Sequence, residues 1–214
     1  MERRLLIIAL LAICAVMLPA ETFAQRKAGY SYPAQARFIP KELGRVYLGM
    51  TLREFAKQIE LKAAEIEDDR FEALAIRVPI DKGNVAEIVV MVQDYDIALR
   101  EAGLRVDTVK RKIGDGEEYE AEVKRPIIEK IPAKAFVYAI YVNFKPEFDL
   151  KSYVVRTYGP GKARSAVDPY HFSDIEWTKR TSDGLLWLIR SLHEGDRRTL
   201  QLLGRIKGTE WGIE

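Results

Sequence analysis

The chain has 214 residues, with 34 basic and 32 acidic side chains for a net charge of +2, two histidines and one cysteine. Lys and Arg alternate with Glu and Asp along its whole length, so the one-sided basic face that nucleic-acid binding needs is missing and nucleic acid is excluded as a partner. Disulfides, zinc-thiolate sites and cysteine nucleophiles are excluded as well, because the single Cys14 lies within an N-terminal apolar tract expected to be removed.

Arg3 and Arg4 precede that tract, Leu5 to Leu18, which stops at Pro19 and the segment Ala20-Glu21-Thr22-Phe23-Ala24. The pattern is that of a secretory signal peptide over residues 1–24, cleaved near Ala24. It is shorter than the roughly 20 apolar residues a membrane-crossing helix requires, so the mature chain is expected to be periplasmic or secreted, with no transmembrane span. An alternative lipoprotein box, Leu11-Ala12-Ile13-Cys14, fits less well because Ile13 is not small. Residues 25–42 are polar, carry Tyr30, Tyr32, Pro33 and Pro40, and read as an extended lead-in. A single α+β domain is expected over 43–207, with a tail over 208–214 in which Trp211 is an anchor or loose.

Within the domain, Arg45 to Gly49 reads as a short strand. Thr51 and Glu54 have capping-box spacing, Met50 and Phe55 have staple spacing, and Leu52, Phe55, Ala56, Ile59 and Ala63 recur at helical intervals. The spacing predicts a helix over 52–63. Two β-like runs, 71–80 and 85–93, flank Asp81-Lys82-Gly83-Asn84 as a hairpin, and a short helix is expected over 94–103. Residues 104–134 form a charged insert, read as a protruding hairpin about Gly114-Asp115-Gly116; its acidic residues lack the alternation of a calcium loop. Ala135 to Phe144 is apolar on both faces, as a central strand would be. A second helix starts at Asp149 and stops at Gly159-Pro160, followed by strands at 175–181, 185–192 and 198–206.

The expected fold class is therefore α+β, with two helices packed on an antiparallel sheet. Met50-Thr51-Leu52-Arg53-Glu54-Phe55-Ala56 is echoed by Phe148-Asp149-Leu150-Lys151-Ser152-Tyr153-Val154, which points to two degenerate helix-hairpin units. Leu48-Gly49-Met50-Thr51-Leu52-Arg53-Glu54-Phe55 resembles the helix opening of the BamE (SmpA) outer-membrane lipoproteins and of the related β-lactamase-inhibitor-like fold. The Leu-Gly-x-Pro helix ending and Trp-bearing strand of those families have an altered counterpart in Tyr158-Gly159-Pro160 and Ile175-Glu176-Trp177. The resemblance implies a non-enzymatic module that binds other proteins of the envelope.

Chemistry-bearing residues are few. His171 lies in the polar loop Asp168-Pro169-Tyr170-His171-Phe172-Ser173-Asp174, which lacks the context of a catalytic triad. His193 falls in a turn with Glu194 and Asp196, and a metal there would need loop and turn to meet. Gly159-Pro160-Gly161-Lys162 follows a helix, whereas a phosphate-binding loop opens one. Trp177 and Trp187 lie on neighbouring strands, paired in the core or forming an aromatic patch. No catalytic residue, cofactor or metal is assigned. The expected function is an exported, non-enzymatic interaction module whose partner is another envelope protein, contacted through 104–134 and through Tyr170, His171 and Asp174. The alternatives are an envelope or extracellular hydrolase using His171 and nearby carboxylates, metal-dependent or not, and a small-ligand-binding protein. No oligomeric state is specified.

Overall fold

Strand formation dominates this chain. The structure, a computed structural model, describes residues 29–68, 74–93, 103–113, 117–163, 173–207, 209 and 211–212. Among them are ten strands: β1 (Glu65–Asp68), β2 (Leu74–Lys82), β3 (Val85–Gln93), β4 (Leu104–Ile113), β5 (Glu117–Pro126), β6 (Phe136–Phe144), β7 (Lys162–Ala163), β8 (Ser173–Arg180), β9 (Leu186–Glu194) and β10 (Arg197–Gly204). Three short α-helices accompany them: α1 (Tyr32–Gln35), α2 (Leu52–Gln58) and α3 (Leu150–Tyr158). The expectation of an α+β fold with two helices on a sheet is thus corrected: the fold is largely antiparallel β, with helices too short to form a layer.

The reason is visible at α2. Thr51 and Glu54 make the full reciprocal capping box, so the helix starts where its sequence directs. It ends after Gln58 instead of running to 63, because Ile59 turns extended (φ −126°, ψ 127°) and buries its β-branched side chain in that conformation. The following residues carry the chain to the sheet edge, where β1 begins at Glu65.

Eight strands form one sheet in the order β1-β2-β3-β6-β10-β9-β8-β7, and every neighbouring pair is antiparallel. The expected helix-hairpin units are corrected to helix-then-four-strand units: α2 precedes β1, β2, β3 and β6, α3 precedes β7 to β10, and the last strands of the two units pair at the centre. The turns after β2 and β8 both carry a glycine at positive φ, Gly83 at 60° and Gly184 at 82°. Between β9 and β10 the chain turns tightly at Gly195. Between β3 and β6, the matching position, it inserts the whole of β4 and β5.

One face of the sheet holds the core. Register places Ile76, Val90, Ile140, Leu202, Ile189 and Trp177 side by side in a row across six strands, all buried. Side chains two residues away along each strand share that face. The Trp177 indole N–H donates to the Gly159 carbonyl at the end of α3 (2.9 Å), Tyr158 lies 5.6 Å from Trp177, and Phe38 lies 5.3 Å from Trp187. Each such ring removes on the order of 200 Å² from water, roughly 5 kcal/mol before entropy is counted.

Two further expectations change. Residues 29–43 are no extended lead-in: they form α1 and two 3₁₀ turns, and bury Phe38, Ile39 and Leu43. Arg45 to Gly49 forms no strand; instead Gly49 (φ 89°) donates its N–H to Val137 and hooks this loop onto β6. The helix expected over 94–103 falls outside the described residues except for Gly103.

Candidate interaction surfaces

Tyr170 and His171 lie outside the described residues. Asp174 occupies the irregularity in the β8–β9 ladder between the pairs Ser173–Leu192 and Ile175–Ser191. His193, opposite Arg198 on β10, is therefore at the same end of the sheet as Asp174. Among the described residues no three His, Cys, Asp or Glu side chains gather as metal ligands. Trp177 and Trp187 are diagonal neighbours, since Trp177 pairs with Ile189 and Lys179 with Trp187. Both are buried in the core, so they form no exposed aromatic patch.

The second face of the sheet carries polar residues that alternate with the core row. Arg77 pairs with Glu87 (3.9 Å); the Asn143 side-chain amide donates to Glu87 (2.8 Å); and the Thr199 hydroxyl donates to the Asn143 carbonyl oxygen (2.7 Å). This chain of contacts crosses β2, β3, β6 and β10. Further along, Arg190 donates to Glu176 (2.9 Å), and its guanidinium lies 5.3 Å from the Trp211 ring, so Trp211 anchors the tail on this face. Hydrogen bonds join Glu87 to Asn143, Asn143 to Thr199 and Glu176 to Arg190, and among the described residues charges of both signs stand together on this face.

A different surface stands apart. β4 and β5 form their own two-stranded sheet, ten residues on each side, outside the eight-stranded one. Its root is fixed by Arg125, whose guanidinium donates to the Lys62 and Ala64 carbonyls (3.2 Å each) and pairs with Asp107 (3.0 Å). Arg111 reaches Glu65 on β1 from the same side. Val123 is buried there, whereas Val106 is 60% exposed and Tyr119 43% exposed. Two cross-strand pairs toward the far end are opposite in charge, Lys110 facing Glu120 and Lys112 facing Glu118.

A third feature, missed in sequence, joins distant segments. Gln35 is fully buried; its amide donates to the Leu48 carbonyl (3.1 Å) and to Asp183 (3.0 Å), and its oxygen accepts the Leu48 N–H (2.8 Å). Burial works against the charge of Asp183, but hydrogen bonds from Thr181, Gln35 and the N–H groups of Ser31 and Leu185 outweigh it and hold its carboxyl below the usual range. Nothing in the local spacing marks Gln35, because its partners lie far along the chain. The cleft of about 550 Å³ lined by Leu43, Ile59, Ile80, Glu42, Lys62 and Lys82 brings together charges of both signs.

Compared with protein-family models, curated proteins and solved structures, the chain matches none.

Proposed function

We propose that this protein is an exported, non-enzymatic interaction module of the bacterial cell envelope, and that it holds another envelope protein through the β4–β5 arm. The carrying observation is the arm itself. An isolated two-stranded ribbon is marginal in water, yet this one runs for ten residue pairs beyond the main sheet and presents Val106 and Tyr119 to solvent. By register Val106 and Tyr119 stand on opposite faces of the ribbon, so one partner wrapped around the arm would cover both. The Arg3-Arg4 and Leu5–Leu18 pattern supports export, and the resemblance of residues 48–55 to the BamE helix opening agrees with an envelope role.

The test is site-specific photo-crosslinking in the producing cell. A photoreactive residue at Val106 or Tyr119 is expected to give the same single cross-linked protein, while one at Val155 or Thr178, exposed positions on the main body, gives none. Equal yields from all four positions, or none from the arm, would refute the reading. Export is checked by sequencing the mature N-terminus: a start at Gln25 is expected, and a retained Met1 contradicts it.

A further inference from the structure

The geometry points to strand addition: β4 presents an open edge that takes an extended, acidic segment of the partner, lengthening the arm from two strands to three. This inference rests on the arm being the contact surface and adds the chemistry of what it holds.

Three observations lead to it. The arm lies beside the main body through β5 and β1, so β4 is the outer strand. It hydrogen-bonds to β5 alone, and its other side is a row of backbone N–H and C=O groups with no strand against it among the described residues. A bare edge of that length is a template for another strand.

Charge then selects the occupant. β4 carries Arg105, Lys110, Arg111 and Lys112 against a single acid, Asp107; Arg105 pairs with Asp107 (3.3 Å) and Arg111 with Glu65, so Lys110 and Lys112 are the cations that decide the edge. Lys110 and Lys112 point to the same face, where β5 supplies Glu120 and Glu118 on one side only. A strand arriving on the open side sets its own side chains beside the same two lysines, so carboxylates there complete the pattern and ammonium groups repel. A second copy's β4 would bring its own lysines and arginines and repel; a second copy's β5 lies near β1 but hydrogen-bonds to β4 alone, so pairing through it is the dimer that the test must find absent. The edge therefore excludes its like and admits an acidic strand.

The experiment uses the natively processed chain, labelled with ¹⁵N, and two blocked eight-residue probes: alternating Glu-Val and alternating Lys-Val. The acidic probe is expected to bind at least about ten-fold more tightly, to shift β4 amides selectively, and to weaken as salt rises. A second variant, K110E/K112E/E118K/E120K, keeps opposite charges across the ribbon but inverts β4. It is expected to prefer the basic probe. Equal affinities, shifts centred on the main sheet, or an unchanged preference in the inverted variant would overturn strand addition. So would a dimer by light scattering whose interface, mapped by amide shifts, lies on β4. If cross-links from Val106 and Tyr119 persist while the probes fail, the arm binds by its side chains alone and only this inference falls. If the arm yields no cross-links, the interaction reading itself falls.

Discussion

Replacing Gln35 with alanine removes a side chain that ties the segment around α1 to two distant parts of the molecule. The Leu48 N–H and C=O, in a fully buried residue, both lose their partner, and Asp183 loses one of four donors. An orphaned buried backbone group costs about 1–3 kcal/mol, so the two together predict a loss of about 2–6 kcal/mol. That is a large share of the roughly 5–15 kcal/mol that holds a domain together. In urea, with a slope of about 2 kcal/mol per molar, the midpoint is expected to fall by about 2 M. Gln201→Ala, on the half-buried second face, is the control and is expected to stay within about 0.5 kcal/mol. A midpoint shift for Gln35→Ala no larger than the control's would refute the reasoning that this one amide closes the N-terminal segment onto the sheet.

Three other outcomes follow from the same structure. Asp183 has its pKa lowered in the folded state, so its contribution is fully present above the unfolded value near 3.8 and is lost as pH falls through the folded value; the stability gap between the native chain and Asp183→Asn is expected to narrow steadily below about pH 4 in acid denaturation. Thr51→Ala and Asp149→Ala each remove an N-cap acceptor, from the Glu54 and Ser152 N–H groups respectively, and are each expected to cost about 1 kcal/mol by urea unfolding. Gly161→Ala would drive a methyl group into Ile175 and the indole of Trp177, which is buried and fixed by its bond to Gly159; a loss of about 1–3 kcal/mol is expected in a thermal melt.

What could be read in sequence was chemistry confined to a few neighbouring residues. The Thr51–Glu54 box, the β2–β3 turn at Gly83, the charged hairpin about 114–116 and the doubly apolar β6 all announce themselves locally, and each lies within the element expected for it or, for 114–116, between its two strands. The fold class went astray because Ile59 satisfies a helical interval and an extended buried position equally well, and only the sheet edge decides between them. The same ambiguity promised a strand at Arg45 to Gly49, whose apolar residues are buried by a loop. Gln35 and Arg125 were illegible for another reason. Each is a polar side chain whose partners, Leu48 and Asp183 for one and Lys62 and Ala64 for the other, meet it only after the chain has folded back. Of the contact residues expected from sequence, the arm is present as a ribbon, Asp174 sits at a bulge, and Tyr170 and His171 lie outside the described residues.

The most direct test of the account is to shorten the arm while leaving its root. Arg105 and Arg125 are opposite one another in register, so Val106–Lys124 can be replaced by Asn-Gly, a two-residue turn suited to closing that pair, with the Arg125 bonds to Lys62 and Ala64 retained. Native electrophoresis of envelope fractions then compares the two chains. The intact protein is expected in a higher-mass complex and the shortened one, still folded by circular dichroism, at the mass of the free chain; co-migration of both in the same complex would contradict the claim that the arm is the organ of binding.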